Sequence, residues 1–376
     1  MQPKTLGIAI ASVVTAAFLA AVGLVVAWPY LTESRRANAD FCQVIEGDAA
    51  HPVERHIAPA ELPKARGSVV PAKDYALSAP HSHGNLTIFL IHGKETMPGA
   101  NVITLQEGIE QNLVAVRDNG THQLRIDNRS NATLFIQGGD IVKGGIQDRT
   151  LPYDMLVPAK TENFPVMAMC VEQGRSHARG NEASASFAAA NEQLPTRALK
   201  LAAYRNSQPE VWDNVRALQT NIAKNAGGSV QAPASPTSLQ LTLEQDRVQL
   251  AVDHYLTNLA PILEGKNDVI GFAVVINGQV QSADVYGSNA VLQKLWPKLI
   301  RATAVEALAE RRDGHVIPAN AQAVHAFLVQ AEKGNAVRLD TQGSTVIRHE
   351  TGQSMLHDTC DPSRQNAVMH RSVLAR

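Results

Sequence analysis

Between Leu86 and Val171 the chain is cut into short apolar runs by turn residues, and this spacing suits antiparallel strands but leaves no room for the crossover helices of a parallel sheet. The runs are Leu86 to His92, Leu113 to Arg117, Gln123 to Asn128, Ala132 to Gln137, Tyr153 to Val157 and Phe164 to Val171. Asp118-Asn119-Gly120 and Asn128-Arg129-Ser130-Asn131 stand where a meander needs turns. Thr104 to Gln111 predicts a brief helix with Thr104 as its N-cap.

Beyond Arg175 the pattern becomes mixed. His177 to Ala190 is small, polar and alanine-rich, and reads as a mobile loop or plain disorder. Helices are expected over Leu194 to Arg205, Pro209 to Lys224 and, as one long element, Leu239 to Leu263, with a linker at 225–237. Asn277-Gly278 between Val269 to Ile276 and Gln279 to Val285 predicts a tight hairpin, because both turn residues must take positive φ. Ser288 to Ala309 reads as a helix with a kink at Pro297. Short strands follow at Val324 to Val329, Ala336 to Leu339, Thr345 to Arg348 and Ser354 to His357. The expected fold class is α+β, with antiparallel-leaning short-stranded sheets packed with helices. The domain occupies 85–360, the two halves share one sheet system, and 361–376 is a C-terminal tail.

Upstream, Leu6 to Val26 is apolar and uncharged, ends near Trp28, Pro29 and Tyr30, and is long enough to cross roughly 30 Å of hydrocarbon as a helix. Residues 1–30 are therefore expected to be a transmembrane anchor or signal segment. Ala37-Asn38-Ala39 has the form of a cleavage site, but lies well past the apolar run, so a retained anchor is favoured. The reading is a single-pass membrane protein with its bulk outside the cytoplasm, in the periplasm. Residues 31–84 form a lead-in, and His81 and His83 sit there in a solvated loop.

A formal charge of −1 gives no reason to expect nucleic acid as a partner. Cys42, Cys170 and Cys360 cannot all pair within one chain and show no zinc spacing, so no metal site is expected from them. An oxidising compartment permits a Cys42–Cys360 disulfide.

The chemistry concentrates between Leu134 and Arg175. Gly138, Gly139, Gly144 and Gly145 interleave with Asp140, Lys143, Gln147, Asp148 and Arg149, and Cys170-Val171-Glu172-Gln173-Gly174-Arg175 follows. The spacing of a P-loop is absent. Glycine amides with Lys143 and Arg149 can make an anion-binding concavity, and Arg149 with Arg175 can grip a carboxylate or phosphate from two sides. Cys170, with His177 as base, is weighed as a nucleophile, but strand alternation favours a buried cysteine, with Glu172 pairing Arg149 or Arg175. Asp140, Asp148, Asp154 and Glu172 form a weaker hard-cation alternative, since they match no calcium loop.

This stretch resembles the ARG and Rhodanese-Phosphatase-superfamily-associated protein domain family. The likeness rests on Gly138-Gly139-Asp140, Gly145-Ile146-Gln147-Asp148-Arg149, Leu156-Val157-Pro158 and Cys170 to Arg175. It continues through Glu210-Val211-Trp212, Asn277-Gly278 and Leu295-Trp296-Pro297-Lys298-Leu299. Asp140, Ile146 and Ser176 depart from the family pattern, the last removing an aromatic after Arg175. The resemblance implies at most a link to nucleotide or ADP-ribose metabolism, with no assigned activity and no known cofactor. The function expected is the binding of an anionic small molecule or a partner's acidic group. A hydrolase of nucleotide-like substrates using Glu172, Asp140 or Asp148, and a structural envelope protein, are the alternatives.

Overall fold

A computed structural model describes residues 53–56, 70–118, 123–312, 320–341 and 343–376. Leu6 to Val26, Ala39 and Cys42 lie outside the described residues, and among those described no helix is long and apolar enough to cross a membrane.

In chain order the strands begin β1 (Val53–His56), β2 (Ala76–Leu77), β3 (His81–His83), β4 (Leu86–His92) and β5 (Val102–Thr104). Helix α1 (Leu105–Glu110) leads to β6 (Val114–Asp118), β7 (Leu124–Asn128), β8 (Thr133–Ile136), β9 (Asp140–Gly144) and β10 (Arg149–Thr150). Then come β11 (Met155–Val157), β12 (Thr161–Val166), β13 (Met169–Cys170) and β14 (Ser186–Gln193). Helices α2 (Arg197–Tyr204), α3 (Gln208–Asn225), α4 (Leu239–Leu243) and α5 (Asp246–Leu259) precede β15 (Val269–Ile276), β16 (Gln279–Tyr286), α6 (Asn289–Ala309) and α7 (Ala321–Ala331). The chain closes with β17 (Asn335–Asp340), β18 (Thr345–Glu350), β19 (Ser354–Asp361) and β20 (Ala367–Ala375).

The α+β class holds, with sheets antiparallel apart from the β5–β8 pair. A ten-stranded sheet runs β1-β17-β18-β19-β20-β16-β15-β4-β2, with β3 beside β4. It joins strands from both ends of the chain. A seven-stranded sheet, β12-β7-β6-β14-β9-β10-β13, and a three-stranded one, β11-β8-β5, carry the middle.

Strand alternation builds two cores on the large sheet. Ile88, Leu90, Phe272 and Val274 pack with α3, α5 and α6, while Phe89, Ile91, Ala273 and Val275 meet Val324 and Leu328 of α7 on the opposite face. A third cluster gathers Val116, Ile126, Val142 and Phe164 of the seven-stranded sheet with Ile103, Ile136 and Val157 of the small one. The hairpin forms as its sequence requires, with Asn277 at φ 51° and Gly278 at φ 77°. Thr104 closes a capping box with Glu107 at the start of α1.

Several expectations are corrected. Within the glycine-rich stretch Asp140–Gly144 forms a strand, β9, between a turn at Gly138-Gly139 and a bend at 145–147. His81 and His83 belong to β3, paired with β4, so the lead-in supplies strands of the sheet. The expected mobile stretch after His177 ends in β14, which pairs with β6 and β9. The expected single helix over Leu239 to Leu263 is broken, because Gln245 is extended (φ −63°, ψ 132°) and the last turn, containing Pro261, is a 3₁₀ segment.

Val324 to Val329 is helical. Asn320 caps α7 through the amides of Gln322 and Ala323, and Val324, Leu328 and Ala331 recur at helical spacing on its buried side. Residues 361–376 are not a tail, since β20 lies between β19 and β16 and is buried along nearly its whole length. Cys360 is a free buried thiol, so the Cys42–Cys360 bond is not formed.

A chain ending at Asn366 leaves both β16 and β19 unpaired on the side that β20 occupies. It is expected to lose cooperative thermal unfolding in far-UV circular dichroism, and a melt as sharp as the full chain's would disprove the structural role given to β20.

Candidate functional site

The two halves of the charged stretch meet through strand register. β10 lies between β9 and β13, which sets Arg149 opposite Val142 on one side and Cys170 on the other. The ladder continues past β13, where Val171 N–H donates to Asp148 O at 3.2 Å and Asp148 N–H to Glu172 Oε2 at 3.3 Å. Glu172 then bridges antiparallel to Ser238 at the start of α4. The chain can turn back at Gly144 and Gly145 only without side chains. Their φ values are +124° and +57°, and a Cβ on Gly145 would come within 2.6 Å of the Phe187 ring.

Around this junction lies a buried network of opposite charges. Asp148 and Glu172 are completely buried. Arg179 grips Asp148 with both terminal nitrogens at 2.8 Å, reaches Glu172 Oε1 at 3.4 Å and Ser238 Oγ at 3.2 Å, and closes on Glu182 at 3.1 Å. Arg175 Nε lies 2.7 Å from Glu172 Oε2, an ion pair whose N–H is not aligned for a hydrogen bond, while its Nη1 donates to Gly145 O and His177 O. Burial pushes the Asp148 carboxyl above its usual pKa, Glu172 adds to this, and Arg179 opposes it. Burial likewise lowers Arg149 to about 10. Its Nη1 donates to Gln147 Oε1 and to Cys170 Sγ.

The remaining predicted residues divide among other partners. Gly144 N–H donates to Asp148 Oδ1 and Gly145 N–H to Ala183 O, while Gly138 N–H donates to Asp154 Oδ1 and Gly139 N–H to Leu151 O. All four amides are thus engaged within the protein, two by its carboxylates and two by its carbonyls. Lys143 turns to Glu244, Asp140 to Lys298, and exposed Gln173 accepts from Arg216. The four acidic residues weighed as cation ligands therefore separate, Asp140 and Asp154 facing cationic partners of their own. Cys170 is buried and disulfide-bonded, which removes it as a nucleophile.

A second polar centre had no local signal in the sequence. His370, on β20, lies between Asp154 Oδ2 at 2.7 Å from Nδ1 and Asp284 Oδ1 at 3.1 Å from Nε2, and stacks on Tyr286. Thr359 also donates to Asp154. Burial alone would lower the imidazole's pKa, but the two carboxylates raise it to about 9, and His370 in turn helps hold both acids below their usual range. Sequence reading also missed Arg179 and Ser238. A second arginine four residues after Arg175 was the available hint, and it lay inside the stretch assigned to a loop.

Beside the first network, segments 173–180 and 234–237 diverge to leave an open groove of about 470 Å³. Arg175 and Arg179 contribute to its wall, along with Gln173, His177, Ser235 and Thr237. Arg175 draws the His177 carbonyl inward, and because the C=O and N–H of one trans peptide point in opposite directions, the Ala178 N–H is turned away from that guanidinium.

The model of the ARG and Rhodanese-Phosphatase-superfamily-associated Protein domain matches residues 74–374. The chain belongs to this family. Its domain thus takes in β2 to β4 and nearly all of β20, wider than the limits drawn from the central motifs. No curated protein and no solved structure matches the chain.

Removing one partner of a buried ion pair leaves an uncompensated charge, so Arg179→Ala is expected to cost this domain about 3–5 kcal/mol in denaturant unfolding. Lys143→Ala, which breaks the more exposed pair with Glu244, should cost less than about 1 kcal/mol. Equal losses would contradict the burial argument. For His370 the folded pKa is raised, so its contribution is full below its ordinary 6.5 and is lost as pH rises to about 9. Melting temperature should therefore fall across that window, and His370→Gln should flatten the fall. Asp154 and Asp284, held low, act in the opposite sense and lose their contribution on acidification.

Proposed function

We propose that this family domain is a binding module, tethered outside the cytoplasm by the Leu6 to Val26 segment, whose groove takes an anionic small molecule or a partner's acidic group. The observation that carries the reading is the groove wall, to which Arg175 and Arg179, each paired with buried carboxylates, contribute beside exposed His177. Groups fixed before a ligand arrives lose little freedom when it binds, which favours recognition. Arg149, first expected to share this role, is buried behind the network and serves the frame. The hydrolase reading rests on the raised pKa of Asp148 beside Glu172, but both carboxylates are covered by Arg179 and neither reaches the groove surface.

The test is calorimetric titration of the full chain with sulfate, adenosine diphosphate and a polyglutamate peptide. At least one is expected to bind, and His177→Gln, an exposed substitution, should weaken it several-fold. Failure of all three to bind would end the proposal. Turnover of phosphodiester or glycoside substrates, lost on Glu172→Gln in a folded variant, would favour catalysis instead.

A further inference from the structure

Resting on the anion-binding reading of this groove, we infer that Glu182 is a resident stand-in for the ligand: its carboxylate occupies the outer edge of Arg179, and an oxyanion binds there by displacing it.

The guanidinium of Arg179 has two edges, and each is gripped by one carboxylate. Asp148 takes the terminal nitrogens Nη1 and Nη2 at 2.8 Å each. Glu182 takes Nε and Nη2 through its two oxygens, both at 3.1 Å. Two parallel N–H groups of this kind suit two oxygens carried on one atom, as in a carboxylate, phosphate or sulfate, and suit a halide less well. Glu172 Oε1 at 3.4 Å and Ser238 Oγ at 3.2 Å share Nη1, so all three nitrogens are engaged. A ligand gains a paired contact from this residue only by exchange.

Burial and bonding decide which partner is exchanged. The side chains of Asp148 and Glu172 have no exposure, and each is fixed by further partners. Asp148 also holds the Gly144 amide and the Ser238 hydroxyl, and Glu172 holds Arg175 and the Asp148 amide. The Glu182 side chain is 27% exposed, makes the longer pair of bonds, and has no other side-chain partner among the described residues. Released, it returns to water, while Arg179 keeps its buried partners.

Until then Glu182 competes from close by. It is the fourth residue of a turn that begins at Arg179, closed by its N–H on Arg179 O at 2.8 Å with Gly180 at φ +49°. Arg179 and Gly180 also line the groove, and the exchange needs rotation of one partly exposed side chain with no movement of the turn. A site filled by its own chain binds more weakly, in proportion to the fraction of molecules in which it is free.

The experiment is calorimetric titration of the full chain with sulfate, comparing the wild type with Glu182→Gln, Glu182→Ala and Asp213→Asn. Asp213 pairs with Arg216, which donates to Gln173 of the groove wall, so its substitution removes a nearby negative charge without touching Arg179. Both Glu182 variants should bind sulfate about three- to tenfold more tightly. Asp213→Asn should change the affinity by less than about twofold, because exposed charges are screened by salt. A gain in Asp213→Asn equal to that in Glu182→Gln marks a general effect of charge and overturns the inference. Sulfate affinity that is unchanged or weaker in the folded Glu182 variants also overturns it and leaves the groove reading intact. Absence of sulfate binding in every form overturns the inference too, while the nucleotide and the peptide still decide the groove reading.

Discussion

The arrangement at the centre of this protein depends on two carboxylates buried without access to water, Asp148 and Glu172, which are tolerable only because guanidinium groups and amides surround them. Each element of the middle region contributes to that environment. β9 ends in the Gly144 amide, β10 begins beside Asp148, the segment after β13 brings Glu172 and Arg175, and α4 starts at Ser238. The stretch bearing Arg179 looks like a loop by composition, yet its geometry is fixed by one long side chain reaching inward.

A second buried centre ties the middle sheet to the large one. Asp154 accepts from Gly138, Thr359 and His370, so the glycine pair before β9 is held to strands near the end of the chain. His370 extends the tie to Asp284 on β16. Low-dielectric surroundings strengthen such a network when all its members are paired, and the same surroundings make the loss of one partner costly. The groove therefore lies beside a frame locked at two places, with Gly174 and Gly180 at positive φ along one side of it.

Much of the fold was readable locally. The Asn277-Gly278 hairpin, the Thr104 capping box and the early strands follow from turn chemistry and period-two patterning, which act over a few residues. Errors came where a local pattern had two meanings. Val324 to Val329 fits a short apolar strand as well as one face of a helix, and the Asn320 cap decides for the helix. The glycines around β9 are turn and bend residues, and the strand between them is decided by pairing with β10 and β14, with the Phe187 ring closing on Gly145. Residues 361–376 carry no strong local signal, and β20 is a strand because β16 and β19 supply hydrogen-bonding partners on both sides.

By itself the sequence determined that the chain is α+β, that its sheets are mainly antiparallel, that it belongs with one family of domains, and that the Gly138 and Cys170 segments carry its charged residues. These are consequences of short-range preferences and motif order. Only the tertiary structure decided which charges face each other. It gave Glu172 to Arg175, Asp148 to Arg179, Asp154 to His370 and Asp140 to Lys298, pairings that span sequence separations no periodicity encodes. The reason is that a buried charge is satisfied by whatever opposite group the packing of distant elements brings within about 3 Å, and that distance is a property of the folded chain.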